Sequence, residues 1–138
     1  MTMFKTTHAL ALLMWLLPCE GALAVDLKVT DSRGTEVLVA GASVDYGGFM
    51  PDKETDGIRV LQGDATVMVK WSDVESLTVT RKDNSVKPPR IEIEIVLRNG
   101  KKVPAALFHQ GQMKLSGKSE LGDYSIDLGK VRTIAPVR

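Results

Sequence analysis

Apolar and polar residues alternate along most of the chain after Ala24, with the two-residue period of β-strands. The 3.6-residue period of an amphipathic helix does not occur in this part of the sequence. Turn-forming residues, mainly Gly, Asp, Asn and Pro, separate the alternating segments. The segments that predict strands are residues 26–30, 36–46, 58–61, 66–71, 77–81, 90–98, 101–108 and 133–138, with further short strands around Gly111, Gly117 and Gly122.

About ten short strands, with turns at intervals of roughly eight to twelve residues, predict an all-β fold. The expected architecture is a small antiparallel barrel or sandwich, and an SH3-like small barrel is one fold of this type. Gly41 interrupts the long segment 36–46. A glycine inside a strand pattern predicts a bulge or bend, which helps a sheet to curl.

One segment of the pattern occurs twice, as VMVKWSDVESL at 67–77 and as YSIDLGKVRTI at 124–134. The matching apolar positions are Val69 with Ile126, Trp71 with Leu128, Val74 with Val131 and Leu77 with Ile134. Two interpretations stay open: two similar units around a pseudo-twofold axis, or the general likeness of any two strand–corner–strand segments. Trp71 alternates with Val69, which predicts that it points into the core.

The dipeptide Asn99-Gly100 lies between two alternating runs, a pattern typical of a β-hairpin with a two-residue turn. That turn fixes the register between the two strands. The predicted cross-strand pairs are Ile95 with Pro104, Ile93 with Ala106 and Ile91 with Phe108. Pro104 would then lie at a pair without hydrogen bonds, which favours an edge strand.

The second strand of this hairpin has an apolar, uncharged stretch at 105–108. An open edge there predicts strand addition from a second copy or from an envelope protein, with Ala105 and Leu107 as the candidate partner edge. The alternative is that the final strand of the chain covers this edge and closes the barrel.

The 138 residues suffice for one domain, and 18 basic and 17 acidic side chains nearly cancel. This balance gives no electrostatic sign of a nucleic-acid partner. The first 24 residues predict a cleaved signal peptide, because Lys5 precedes an apolar run at 9–17 and Ala22-Leu23-Ala24 fits a cleavage site. The expected domains are therefore the signal peptide 1–24 and a single all-β domain 25–138, with no transmembrane segment in the mature chain.

Cys19 is the one cysteine, and it lies where the acylated cysteine of a lipoprotein would lie. Pro18 occupies the preceding position, which normally takes a small residue, so we expect Cys19 to leave with the signal peptide. The mature chain would then have no disulfide and no thiol nucleophile. We expect localisation in the periplasm or outside the cell.

Candidate chemistry is sparse. His109 is the one histidine after Ala24, and no nucleophile or carboxylate motif surrounds it, so we expect no catalytic residues and no enzyme activity. One His without Cys also predicts no zinc site, and no cofactor motif occurs. A weak calcium pattern is formed by Asp52, Glu54 and Asp56, although a Gly stands where the bidentate Glu of such loops is expected.

The irregular segment 46–57 contains Tyr46, Phe49 and Met50 on either side of Gly47-Gly48. These side chains are candidate ligand-binding residues at a loop tip, and the alternative is that they fold back onto the core. The sequence therefore favours an exported, non-catalytic binding or structural module of the cell envelope. The alternative function is a small-ligand or glycan-binding domain that uses the 46–57 loop.

Overall fold

The computed structural model describes residues 25–47, 53–85, 90–107 and 113–137. These residues form ten strands, and the all-β prediction is confirmed. The strands are β1 (Val25–Asp31), β2 (Glu36–Asp45), β3 (Gly57–Gln62), β4 (Ala65–Lys70), β5 (Val74–Asp83), β6 (Arg90–Leu97), β7 (Lys102–Leu107), β8 (Lys114–Ser119), β9 (Gly122–Asp127) and β10 (Val131–Pro136). One-turn 3₁₀ helices at Trp71–Asp73 and Leu128–Lys130 precede β5 and β10.

All pairings are antiparallel, and the strands form one curled sheet in the order β4-β3-β7-β6-β5-β10-β1-β2-β8-β9. Alternate residues of each strand face the concave side, where they form a single apolar core. The largest fully buried side chains are Trp71, Leu27, Ile58, Leu77, Ile93, Leu107, Leu115, Leu128 and Ile134. Because the core has no disulfide among these residues, apolar packing stabilises the sheet.

The sheet consists of two halves with the same strand order. We call β3–β7 the continuous half, because its strands are consecutive, and β1, β2 and β8–β10 the split half. The β3–β4 ladder pairs Gly57 with Lys70, and the β8–β9 ladder pairs Lys114 with Asp127. Each residue of the second ladder lies 57 positions after its counterpart, as Leu128 does after Trp71. The two ladders therefore have the same register.

The remaining ladders repeat as well. Leu77 pairs with Ile95 in the continuous half, and Ile134 pairs with Val29 in the split half. Both ladders also skip one residue near the start of the strand, Glu75 in β5 and Arg132 in β10. The strand pair β6–β7 is thus the counterpart of β1–β2, with an offset of 66 positions.

Hydrogen bonds outside the ladders follow the same symmetry. The Trp71 amide donates to the Asp56 carbonyl at 2.9 Å, and the Leu128 amide donates to the Met113 carbonyl at 2.9 Å. Likewise Arg98 N–H donates to the Asp73 carbonyl, and Ser32 N–H donates to the Lys130 carbonyl. The sequence repeat is therefore a true structural repeat around a pseudo-twofold axis, which passes through the Leu77–Ile134 pair of β5 and β10.

The two sequence copies and the two halves of the sheet do not coincide. In chain order the copies are β1–β5 and β6–β10, each with two strand pairs, a 3₁₀ turn and a last strand. The continuous half combines β3–β5 of the first copy with the β6–β7 hairpin of the second, because β7 pairs with β3. The split half combines β8–β10 of the second copy with the β1–β2 hairpin of the first, because β2 pairs with β8. The copies have exchanged their N-terminal hairpins.

The predicted register of the β6–β7 hairpin is wrong by one residue. Its observed pairs are Ile95 with Val103, Ile93 with Ala105 and Ile91 with Leu107. The reason is a three-residue loop, Arg98-Asn99-Gly100, in which Leu97 N–H donates to the Lys101 carbonyl and Gly100 has φ +90°. The β1–β2 hairpin has the same loop, with Gly34 at φ +90°. Pro104 therefore faces away from the core, and Val103 replaces it on the apolar face.

The edge predicted at 105–108 is occupied where the structure describes it. Ala106 pairs with Leu61 of β3, and the Leu107 side chain is only 1% exposed. Ala105 is half-buried on the inner face. The final strand does not cover this edge either, since β10 lies between β5 and β1. Phe108 lies outside the described residues.

The bulge predicted at Gly41 is confirmed. Gly41 has φ +60°, and the register of β2 against both neighbours shifts between Val39 and Ser43. This φ lies in the left-handed region, which favours glycine. The bulge bends β2 so that its two ends pair with β1 and with β8, and this curls the split half.

Candidate binding groove

An apolar groove of about 490 Å³ opens in the continuous half, between the β3–β4 hairpin and the β6–β7 hairpin. Its walls and floor are inward-facing side chains of the four strands, with polar residues at the rim. The lining residues are Val60, Gln62, Val67, Met68, Val69, Lys70, Asp73, Ile95, Leu97, Arg98, Asn99, Val103 and Ala105. We call this region the groove.

Short side chains at paired positions create the groove. Val60 faces Val67 across β3 and β4, and Ile95 faces Val103 across β6 and β7. Val67, Val69 and Val103 are half-buried, so their outer surfaces remain in contact with solvent. Apolar walls with a few polar groups at the mouth are the usual composition of a binding site.

The split half carries a large aromatic ring at the corresponding place. The Val60–Val67 pair of the continuous half corresponds to Gly117–Tyr124. A Cβ on Gly117 would come within 2.5 Å of a Val39 methyl carbon and 2.7 Å of the Ala40 carbonyl, so β8 and β2 are too close for a side chain there. Tyr124 lies directly opposite this glycine, on the neighbouring strand β9, and packs against the core.

Tyr124 is half-buried and packs against the core of the split half. Burial and the nearby negative charge of Asp31 raise the pKa of the Tyr124 hydroxyl. Asp31 is the counterpart of Leu97, which lines the groove. The two halves therefore differ at this place: Val67 lines the groove in one, and Tyr124 lines a separate depression of about 1010 Å³ in the other, together with Val37 and Ser119, the counterparts of Val103 and Gln62.

The rim of the groove carries two cations, Arg98 in the β6–β7 loop and Lys70 at the end of β4. Arg98 Nε donates to the Ser72 carbonyl at 2.7 Å, which holds the guanidinium against the first 3₁₀ turn. Lys70 and Asp73 are exposed on the same rim. With two cations and one anion, this end of the groove has a net positive charge.

The structure assigns Tyr46 to the core, not to an exposed loop tip. Tyr46 is 2% exposed, and its hydroxyl accepts a hydrogen bond from Arg59 N–H at 2.7 Å. Burial, the largest cause, raises the pKa of Tyr46 to about 12, so the phenol stays neutral. Tyr46 therefore offers no surface to a ligand. Phe49 and Met50 lie outside the described residues.

The weak calcium pattern is not assembled in the described part of the chain. The Glu54 carboxylate lies 3.2 Å from Arg59 Nε in an ion pair, and its backbone bridges Val44. Asp56 is exposed, and Asp52 lies outside the described residues. Residues 25–47, 53–85, 90–107 and 113–137 contain no group of three or more His, Cys, Asp or Glu side chains that could hold a metal ion.

The groove was missed from the sequence because the matched positions of the repeat begin at Val69 and Ile126, and the preceding pair, Val67 and Tyr124, was not compared. The useful signal was their difference in size. Val67 and Val69 alternate as ordinary core residues do. The strand pattern does not show the distance between these valines and the opposite wall of the groove, Leu97 and Val103. That distance depends on how the sheet curls.

No protein-family model, no curated protein and no solved structure matches this chain. The candidate site therefore rests on geometry. Within the described ranges, no helix has the length and apolar character needed to cross a membrane.

Proposed function

We propose that this protein is an exported, non-catalytic binding module of the cell envelope, and that the groove takes apolar side chains of a partner. The observation that carries the proposal is the difference between the halves. The two halves have the same strand order, register, turns and one-turn 3₁₀ helices. They differ in that Val67 lines the groove where the split half has Tyr124. Packing alone would favour a filled site, because small domains use their large apolar groups in the core.

The finer fold is also a proposal. We infer that the domain is a small barrel of the SH3-like type, because its antiparallel strands curl around one apolar core and a 3₁₀ turn precedes both β5 and β10. Small β-barrels often bind partners on surfaces between their hairpins, with the strands as a rigid support. The groove lies on such a surface. A glycan site on the 46–57 loop has less support, since Tyr46 is buried.

The test uses peptides as probes. Short random peptides are selected on the purified wild-type protein, and their affinities are measured by fluorescence anisotropy. Val67→Tyr gives the groove the residue that the split half has, so we expect it to weaken binding about tenfold or more, which corresponds to about 1.4 kcal/mol. Val60 lies opposite Val67 where the split half has Gly117, so circular dichroism and thermal unfolding first establish that Val67→Tyr is folded.

Two control variants separate the groove from other apolar surfaces. Tyr124→Val makes the reverse exchange in the split half, and Leu121→Ser removes a fully exposed leucine at the β8–β9 turn. Both should keep wild-type affinity. If no peptide is selected, or if the selected peptides bind Val67→Tyr as well as the wild type, the groove is not the binding site.

Export is tested on its own. We expect the cell to remove residues 1–24 and to leave Val25 as the first residue, because the Ala22–Ala24 motif fits signal cleavage. Intact-mass measurement of the exported protein gives the answer. A mature chain that begins with an acylated Cys19 would contradict both the cleavage site and a freely diffusing periplasmic protein.

A further inference from the structure

The groove adjoins an unpaired strand edge. β4 is the last strand at one end of the sheet, and in the part of the chain that the structure describes it pairs with β3 alone. Its inward-facing residues Val67 and Val69 also line the groove. A strand added beside β4 would therefore lie along the groove wall, and its alternate side chains would enter the groove.

The register shows which backbone groups of β4 are free. Gln62 and Ala65 flank the two-residue turn, and such a flanking pair exchanges hydrogen bonds. Because the bonds alternate, Val67 and Val69 also direct their amides toward β3. The Trp71 amide continues this alternation, since it donates to the carbonyl of Asp56, which precedes β3, at 2.9 Å. The amides and carbonyls of Thr66, Met68 and Lys70 therefore point away from β3, along the open edge.

The two end strands of the sheet differ in how they are protected. Natural edges usually carry charged residues or proline that discourage pairing. β9, the other end strand, contains Asp123 and Asp127 and has Tyr124 over its inner face. The one charged residue of β4 is Lys70 at its last position, the counterpart of Asp127, and residues 65–69 contain neither charge nor proline. Residues 65–69 therefore accept an added strand more readily than β9, which has Asp123 near its start.

We propose that the ligand is an extended polypeptide segment that pairs with β4 as an eleventh strand and places alternating apolar side chains in the groove. This inference rests on the proposed binding function and names its partner class. Lys70 and Arg98 outweigh Asp73 at the rim, so the segment carries an acidic residue at that end. A second copy of β4 offers no acidic residue, so two copies paired at this edge lack the charge complementarity of such a segment.

The experiment uses the peptides selected on the wild-type protein and changes their backbones one amide at a time. N-methylation of a residue whose amide bonds to β4 removes the donor and adds a methyl group at the strand interface. Along the peptide, every second amide would bond to β4. We expect N-methylation at these positions to lower the affinity about tenfold or more, and N-methylation at the positions between them to leave the affinity unchanged. The changes lie in the peptide, so the folding of the protein is not affected.

Further results decide between the alternatives. Peptides with apolar residues at alternate positions and an acidic residue at one end are the expected selection. If affinity is lost with Val67→Tyr but no N-methylation matters, the groove binds side chains without strand addition, and this inference is wrong while the binding function stands. If neither change matters, both are wrong. If the wild-type protein dimerises and the peptides dissociate the dimer, the occupant is a second copy, which also overturns the proposal.

Discussion

Replacing Trp71 by alanine is expected to lower the free energy of unfolding by about 3–5 kcal/mol, the usual cost of removing a large buried aromatic side chain. Trp71 begins the first 3₁₀ turn and is 1% exposed. Its ring is the largest fully buried side chain among the described residues, and it packs where β4 turns into β5. Denaturant unfolding followed by circular dichroism measures the loss.

The pseudo-twofold axis supplies matched controls for this prediction. Leu128 holds the corresponding position in the split half, and Leu128→Ala should cost about 2–5 kcal/mol. The Trp71 indole N–H is buried and has no hydrogen-bond partner among the described residues, so Trp71→Phe loses volume but no hydrogen bond and should cost less than Trp71→Ala. A cost below about 1 kcal/mol for Trp71→Ala would place this residue on the surface.

The second large effect is expected at the joint between the halves. β5 and β10 are paired over two positions only, Thr78 with Thr133 and Leu77 with Ile134. Both apolar residues are buried on the pseudo-twofold axis and belong to the common core. Leu77→Ala and Ile134→Ala should each cost about 2–5 kcal/mol. Because the side chains are direct cross-strand neighbours, we expect a coupling energy of about 0.5–3 kcal/mol in a double-mutant cycle.

A buried pair on unpaired strands provides the comparison for that cycle. Leu27 and Leu107 are buried in different halves and on strands that do not pair with each other, so their alanine substitutions should add within about 0.5 kcal/mol. If Leu77 and Ile134 also add without coupling, the two halves are held together elsewhere. A single unfolding transition in the wild type and two transitions in the double variant would instead show that this joint makes the halves unfold together.

Local features of the fold could be predicted from the sequence, because each depends on neighbouring residues. Alternation located most of the strands, Gly41 located a bulge, and the position of Trp71 in its segment indicated burial. The predicted register of the β6–β7 hairpin was wrong for a local reason as well. Asn99-Gly100 is compatible with both a two-residue turn and a three-residue loop, and the choice shifts every pair by one position.

Features that depend on distant residues could not be predicted. The exchange of hairpins requires β2 to pair with β8, and no pattern within either strand specifies that partner. The groove has the same origin, since its walls come from two hairpins whose separation depends on the curl of the sheet. The sequence left open whether Tyr46 points into solvent or onto the core, because its burial depends on a contact with β3, where its hydroxyl accepts a hydrogen bond from the Arg59 backbone N–H.

The exchanged hairpins also determine the order in which the protein can fold. All strands of the continuous half lie between Gly57 and Leu107, so this half can form as soon as that segment is available. β2 ends at Asp45, and its partner β8 begins at Lys114, 69 residues later. The other edge of this hairpin waits longer still, since β1 pairs with β10. A chain that emerges from its N-terminus must therefore keep both edges of the β1–β2 hairpin unpaired until nearly all of the chain has emerged, and pairing across so long a loop is intrinsically slow.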